Sequence, residues 1–227
     1  MPQPSISTGF PALDQLLGEN TDYFGIPRGG LTILTGQVAS GKSLLLRKIA
    51  EHAAVSGYHV AFIDPEARGP LNPSPPFDYI SILHDVGSAH EFIKTHLNRY
   101  DLVVIDHYNA FEMPNPTGAL AFQARMATRF FHRSWGVTAA IASWQSRREL
   151  SPSFTPSMPI GVAYESSLTL DITNEVAAHT IQITKNRYGQ SGVGCSVYLD
   201  RDSSKPKPVK EVYIPTRFER VLRGDRR

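Results

Sequence analysis

The sequence predicts an α/β protein in which helices lie on both faces of a mostly parallel sheet. Three observations support this class. Apolar strand-like runs alternate with amphipathic helical segments up to about residue 165, which is typical of parallel sheets. A glycine-rich turn joins the first long strand to the first helix. Beyond residue 165, three further strand-like runs have short connections and no helix between them, which predicts an antiparallel extension of the sheet.

A strand, a turn, a helix and a second strand are predicted for residues 31–64. "LTILTG" at 31–36 is a short β-rich run that ends in glycine. The helix predicted at 42–57 closes with Gly57, and "HVAFID" at 59–64 has the composition of a buried strand. The apolar residues of the helix recur at helical spacing, at Leu45, Leu46, Ile49, Ala50 and Ala53.

The middle of the chain continues the alternation. Residues 65–76 contain five prolines, which exclude a helix or a central strand there. The further predicted elements are strands at 79–83, 101–106 and 137–144, amphipathic helices at 88–98 and 119–133, and the C-terminal strands "SSLTLDIT", "AHTIQITKN" and "GCSVYLD". These elements predict one domain over residues 1–200, followed by a short basic tail at 201–227.

Composition and charge limit the class of protein. Of 227 residues, 41% are hydrophobic and 19% are charged, and the formal net charge is +2. The tail carries nine Lys/Arg against four Asp/Glu, which suits an anionic partner such as nucleic acid and equally suits a solvated terminus. Cys195 is the sole cysteine, the chain does not open on a signal-peptide pattern, and no apolar run is long enough to span a bilayer. We expect a soluble, cytoplasmic protein with no membrane partner.

The glycine-rich turn has the spacing of a phosphate-binding loop. Residues 36–43, "GQVASGKS", fit the pattern G-x-x-x-x-G-K-[ST]. The glycines let backbone N–H groups point at phosphate oxygens, and the following helix directs the positive end of its dipole to the same place. Lys42 then contacts the β- and γ-phosphates, and the Ser43 hydroxyl binds Mg²⁺. We expect ATP and Mg²⁺ as ligands of a loop formed by Gly36, Gln37, Val38, Ala39, Ser40, Gly41, Lys42 and Ser43; Leu44, the next residue, is assigned no role.

Carboxylates at the ends of two other strands complete the predicted site. "DLVVID" places Asp106 at the carboxyl end of a strand, where parallel sheets bind ligands, and we expect it to hold the metal together with Ser43. "FIDPE" offers Asp64 at the end of another strand and Glu66 two residues beyond it. We predict that Glu66 is the general base that activates water, with Asp64 as the alternative. Three residues near this site are as consistent with core packing as with function: His107, Tyr108 and Trp144.

The order of the motifs along the chain resembles the RecA superfamily. The motifs are "STGFPALDQLLG" (7–18), "GIPRGGLTILTG" (25–36), the phosphate-binding loop, "AFIDPE" (61–66), "VVID" (103–106), Gln145 at the end of a strand, "YESSLTLDI" (164–172) and "KNRYGQSG" (185–192). The resemblance covers Ser7 to about Asp200 and implies a RecA-like P-loop NTPase core.

The same resemblance implies further roles. Gln145 is similar to a sensor that contacts the γ-phosphate and reports to a DNA-binding loop. Residues 146–161 resemble that loop, and residues 111–118 resemble a second, shorter one. Lys185 and Arg187 resemble a basic pair that reaches the ATP of a neighbouring subunit, and an arginine supplied in trans accelerates phosphoryl transfer.

The sequence also departs from RecA itself. Only about six residues precede "STG", a short tail stands in place of a C-terminal domain, and prolines replace the segment that contacts adenine. "QSRREL" and "KNRYGQSG" are closer to DnaB-type replicative helicases, whose N-terminal domain and linker helix the sequence does not show. We predict a DNA-dependent ATPase that binds single-stranded DNA as a homo-oligomer in recombination or repair. The alternatives are a DnaB-type hexameric helicase or translocase, and a nucleotide-gated accessory protein with weak ATPase activity and a protein partner.

Overall fold

Among the residues that the structure describes, eight of ten strands form one mixed sheet and two short strands form a separate antiparallel pair. The structure, a computed structural model, describes residues 4–66, 69, 74–81, 95–96, 99–107, 139–145, 166–174 and 178–199. The strands are β1 (Ser5–Ile6), β2 (Ile26–Pro27), β3 (Leu31–Gly36), β4 (Val60–Asp64), β5 (Asp78–Ser81), β6 (Leu102–Ile105), β7 (Ala139–Gln145), β8 (Leu168–Asn174), β9 (His179–Asn186) and β10 (Gly194–Val197). The helices are α1 (Pro11–Gly18) and α2 (Lys42–Val55).

The large sheet has the strand order β10-β9-β8-β3-β7-β6-β4-β5. Its strands from β8 to β5 are parallel, whereas β9 and β10 run antiparallel to their neighbours. The predicted mixed α/β architecture is confirmed. The expectation for the last three strands is wrong in one respect, because β8 lies parallel to β3, with Thr169 beside Ile33. Residue alternation is the same for both strand directions, so the local pattern does not fix how β8 pairs.

Both faces of the central strands are buried. Every residue of β3 and of β6 is buried, and successive side chains of a strand point to opposite faces. Five apolar residues of α2 belong to the main core and are fully buried, as the sequence predicted: Leu45, Leu46, Ile49, Ala50 and Ala53. A buried leucine-sized side chain contributes about 1.5–3 kcal/mol. This stripe therefore anchors the helix that follows the glycine-rich loop.

The C-terminal end of α2 closes at the predicted glycine. Gly57 has φ +90°, and its N–H donates to the carbonyl of Ala54 at 3.0 Å. The N–H of Tyr58 donates to the carbonyl of Ala53 at 3.1 Å. This pair of bonds satisfies the last carbonyls of the helix, and glycine adopts the required left-handed backbone without steric cost.

The N-terminal segment folds back onto α1, an element that the sequence did not predict. Asp14 in α1 accepts hydrogen bonds from Ser7 Oγ at 2.6 Å, from the Thr8 amide at 2.8 Å and from Thr8 Oγ1 at 2.7 Å. Burial outweighs these bonds and raises the pKa of Asp14. The available signal was Pro11 in the first turn, followed by apolar residues at helical spacing.

Several predicted elements lie outside the described residues. They are the helix at 119–133, most of the helix at 88–98, half of the proline-rich loop at 65–76, and the tail at 201–227. Thr95 and His96, the described part of the helix at 88–98, are helical. Within the described ranges, neither helix has the length and apolar composition needed to cross a bilayer.

Candidate functional site

The carboxyl ends of four parallel strands bring predicted site residues to one edge of the sheet. Gly36 ends β3, Asp64 ends β4, Gln145 ends β7, and Asp106 directly follows β6. Because β7 lies between β3 and β6, its register places Gln145 beside Gly36. For Gln145 the structure describes the backbone alone. This is the edge at which parallel α/β sheets bind ligands.

The loop between β3 and α2 requires glycine at two positions. Gly36 has φ +155° and Gly41 has φ +92°. A Cβ at Gly36 would lie 2.5 Å from the backbone carbonyl oxygen of Ile172 and 2.6 Å from Ser40 Oγ, which is too close for a side chain. Gly41 is the N-cap of α2, where no side chain caps the first turn. The first-turn N–H groups therefore suit an anionic ligand.

Lys42 is buried inside the loop. Its Nζ donates to the carbonyl of Gly36 at 3.0 Å, to the carbonyl of Gln37 at 2.6 Å and to Ser40 Oγ at 3.4 Å. The side chain is buried even though it is charged, and three oxygen acceptors match its three N–H donors. The tip of the loop at residues 38–39 is exposed. The loop thus curls around its own lysine, with the cation directed inward.

The hydroxyl of Ser43 contacts the carboxylate of Asp106. Ser43 Oγ donates to Asp106 Oδ1 at 3.0 Å, and the Asp106 amide donates to the carbonyl of Ile63 at 2.9 Å. Hydroxyl and carboxylate oxygens are ligands that Mg²⁺ accepts, with substrate phosphates and waters completing its shell. In the described part of the chain, no cluster of three or more His, Cys, Asp or Glu side chains would bind a metal. The Ser43–Asp106 pair therefore fits Mg²⁺ in company with a phosphate ligand.

The two candidate bases have different environments. Asp64 is 2% exposed; its Oδ1 accepts the amide N–H of Glu66 at 2.9 Å, and its Oδ2 accepts the hydroxyl of Tyr79. Burial and this hydrogen bond raise the pKa of Tyr79. The Glu66 side chain keeps 27% of its exposure. Since protein donors occupy both oxygens of Asp64, the geometry favours Glu66 as the carboxylate that reaches water.

Two histidines contact predicted site residues from distant parts of the chain. His107 Nδ1 is hydrogen-bonded to Glu66 Oε2. His179, the first residue of β9, packs against Gly41, where an added Cβ would lie 2.6 Å from its Cδ2. Burial lowers the pKa of His179, which favours the neutral ring. The sequence left the role of His107 open and gave no signal for His179, because neither contact follows from spacing.

The predicted basic pair, Lys185 and Arg187, lies beside the amino ends of the parallel strands, opposite the candidate site. Lys185 is near the end of β9, which runs antiparallel to β8, and the Arg187 amide donates to the carbonyl of Ser167 at 2.9 Å. The Ser167 amide in turn donates to the carbonyl of Leu31, five residues before Gly36. At about 3.3 Å per residue, the exposed Arg187 lies about 16 Å along the sheet from the loop of its own chain.

Comparison with known proteins leaves the family of the chain open. No protein-family model matches the chain, and no curated protein matches its sequence. The segments expected to bind DNA, at 111–118, 146–161 and 201–227, lie outside the described residues. The resemblance to the RecA superfamily therefore rests on the motifs of the chain and stays a prediction.

Proposed function

We propose that the chain is a Mg²⁺-dependent ATP hydrolase. The observation that carries the proposal is the 3.0 Å hydrogen bond between Ser43 and Asp106. It joins the last residue of the phosphate-binding loop to a strand-end carboxylate far away in the sequence, the two oxygen ligands that a Mg-nucleotide site of this kind needs. The buried Lys42 and the uncapped start of α2 provide positive charge beside this pair.

Each residue has a defined task in the proposed reaction. Lys42 exchanges its contacts with loop oxygens for oxygens of the β- and γ-phosphates. Ser43 and Asp106 would hold Mg²⁺, which would supply positive charge against the negative charge of the phosphates. Glu66 accepts a proton while the water oxygen bonds to the γ-phosphorus and the bridging oxygen leaves with ADP. The products are ADP and inorganic phosphate.

We also propose a RecA-like core for this ATPase. The support is the order of the motifs together with the strand order. One strand, β7, separates β3, which leads into the loop, from β6, which precedes Asp106. The end of β7 places Gln145 beside Gly36, a position suited to a residue that responds to the γ-phosphate.

In this proposal, Arg187 completes the site of a second copy of the chain. Its position about 16 Å from the level of Gly36 and at the opposite edge of the sheet argues against action within one chain. The exposure of the Arg187 side chain supports a contact with the loop of a neighbouring copy. An arginine supplied in this way stabilises transition-state charge, which supports a homo-oligomer as the active form.

Single-stranded DNA is the partner that we propose for the oligomer. The support is the motif order and the basic composition of the tail at 201–227. A helicase of DnaB type and a nucleotide-gated accessory protein remain the alternatives. Electron microscopy of the full chain with single-stranded DNA and a non-hydrolysable ATP analogue separates the three, since they predict open filaments, closed rings and unassembled protein respectively.

Site variants test the hydrolase proposal directly. Lys42→Ala should abolish nucleotide binding or hydrolysis, and Glu66→Gln should bind Mg-ATP but hydrolyse it about 10²–10⁴ times more slowly. The matched control is Lys48→Ala, because Lys48 lies on the same helix and pairs with Glu51 at 3.6 Å. Phosphate release and binding of a fluorescent ATP analogue are measured for each variant. Hydrolysis by Lys42→Ala at the parent rate would refute the proposal.

A further inference from the structure

The contact between Glu66 and His107 ties the proposed base to the strand that carries the metal ligand. Glu66 Oε2 and His107 Nδ1 are hydrogen-bonded, and an ionised carboxylate only accepts hydrogen bonds, so the ring nitrogen donates. The His107 side chain is 11% exposed and that of Glu66 is 27% exposed. A nearly buried ring therefore holds a carboxylate that water still reaches.

The backbone at His107 has an uncommon conformation. His107 directly follows Asp106 and has φ +53°, a left-handed conformation that is uncommon outside glycine and in which asparagine, aspartate and histidine are enriched. The Asp106 amide donates to the carbonyl of Ile63, which fixes the end of β6 against β4 just before this turn. Strained backbone of this kind persists where the surroundings fix it, often at functional sites.

The contact bears on where the Glu66 carboxylate lies. Glu66 stands two residues beyond Asp64, the end of β4, and holding a glutamate side chain in one rotamer costs conformational entropy that its contacts must offset. Hydrogen bonding to His107 draws the carboxylate toward β6, the side of the site where Asp106 contacts Ser43. This side of the site holds both proposed Mg²⁺ ligands, Ser43 and Asp106.

We propose that His107 is a positioning residue that holds the Glu66 carboxylate on the Asp106 side of the site for proton abstraction from water. The inference deepens the proposed ATP hydrolase and rests on it. His107 itself takes no part in proton transfer and binds no metal. Its effect should appear in kcat through Glu66 and leave the affinity for Mg-ATP unchanged.

Two substitutions separate the side chain from its backbone. Both His107→Gly and His107→Asn tolerate positive φ, but only the asparagine amide replaces the Nδ1 donor. Because a misplacement of about 1 Å can cost 10²-fold, His107→Gly should lower kcat about 10–100-fold with KM and analogue binding unchanged. His107→Asn should recover most of the rate. Asn20→Gly is the matched control, since exposed Asn20 also has positive φ, +63°, outside the site.

The same His107 substitution made in the Glu66→Gln variant tests whether His107 acts through Glu66. In Glu66→Gln the residual rate should not fall further when His107→Gly is added, because residues that act as a unit are non-additive. A merely structural role for His107 predicts a further loss and weaker analogue binding.

An NMR measurement on the nucleotide-free full chain tests the contact independently of hydrolysis. The Nδ1 proton of His107 should be protected from exchange in the parent and lose that protection in Glu66→Ala. Parent-like kcat in His107→Gly, a rate above the parent, or an unprotected Nδ1 proton in the parent would each overturn the inference. A parent that hydrolyses no ATP would refute the proposed function and the catalytic role together, while the ring proton would still report whether the pair forms.

Discussion

Gly41→Ala should destabilise the fold through a collision with His179. The added Cβ would lie 2.6 Å from His179 Cδ2 and 2.7 Å from its Nε2, and 3.2 Å from Leu199 Cδ1. The backbone at Gly41 also has φ +92°, which an L-residue adopts only with strain. Two separate costs therefore follow from one methyl group.

The two costs can be estimated. Left-handed backbone costs an L-residue about 1–2 kcal/mol, and the smaller entropy of unfolded alanine offsets about 0.4–1 kcal/mol of that. Inserting a methyl group into a packed site costs about 1–3 kcal/mol. The free energy of unfolding should thus fall by about 3 kcal/mol. Gly57→Ala supplies the backbone cost alone, since Gly57 has φ +90° at the other end of α2 and its Cβ would have no atom within 4 Å.

Urea denaturation of the single and double variants measures the collision itself. Removing the ring with His179→Ala should relieve it, so that Gly41→Ala costs no more in that background than Gly57→Ala costs in the parent. The coupling energy between positions 41 and 179 should be about 1–3 kcal/mol. Additive effects, or equal losses for Gly41→Ala and Gly57→Ala in the parent, would show that His179 does not pack on the loop.

Three further predictions concern assembly, the Asp64 contact and pH. A mixture of Arg187→Ala with Lys42→Ala should hydrolyse ATP faster than either variant alone, because mixed interfaces combine an intact loop with an intact arginine; no gain in phosphate release would refute action in trans. Tyr79→Phe keeps the ring but removes the bond to buried Asp64, so urea denaturation should show a loss of about 1–3 kcal/mol; an unchanged midpoint would contradict that contact. Burial raises the pKa of the Asp14 carboxyl above 3.8 in the folded protein. Protonation of Asp14 therefore stabilises the fold, and this stabilisation is complete below pH 3.8 and is lost as pH rises through the folded-state pKa. Compared with Asp14→Asn, the parent should therefore gain stability as pH falls toward 3.8, and a constant difference between the two proteins would contradict this.

Local sequence pattern predicted the elements of the sheet better than their pairing. The strands expected at 31–36, 59–64 and 101–106 appear within a residue at each end, because strands buried on both faces are almost wholly apolar. Strand order depends on contacts between residues far apart in the chain. The place of β7 between β3 and β6, and the parallel direction of β8, therefore came from the structure.

In the candidate site, too, features with a local sequence signature were predictable and contacts between distant segments were not. The turn between β3 and α2 and the position of Asp106 after β6 were predictable because each has a local signature, a fixed glycine spacing in one case and an apolar strand ending in aspartate in the other. The contacts of Glu66 with His107 and of Gly41 with His179 join distant segments and have no local signature. The sequence already preferred Glu66 to Asp64 as the base, and the structure adds the donors that occupy both oxygens of Asp64.

Arg187 and the phosphate-binding loop lie at opposite ends of the parallel strands. An assembly in which Arg187 of one copy contacts the loop of the next copy therefore has a direction. Such a contact is heterologous, with different surfaces on the two partners, so an open chain has two unlike ends. One terminal copy has a loop that receives no arginine, and an open chain of n copies holds n − 1 complete sites. Activity per copy would then rise with chain length toward a plateau, whereas a closed ring completes every site at once. The dependence of turnover on assembly length thus separates a growing filament from a ring without an image of either.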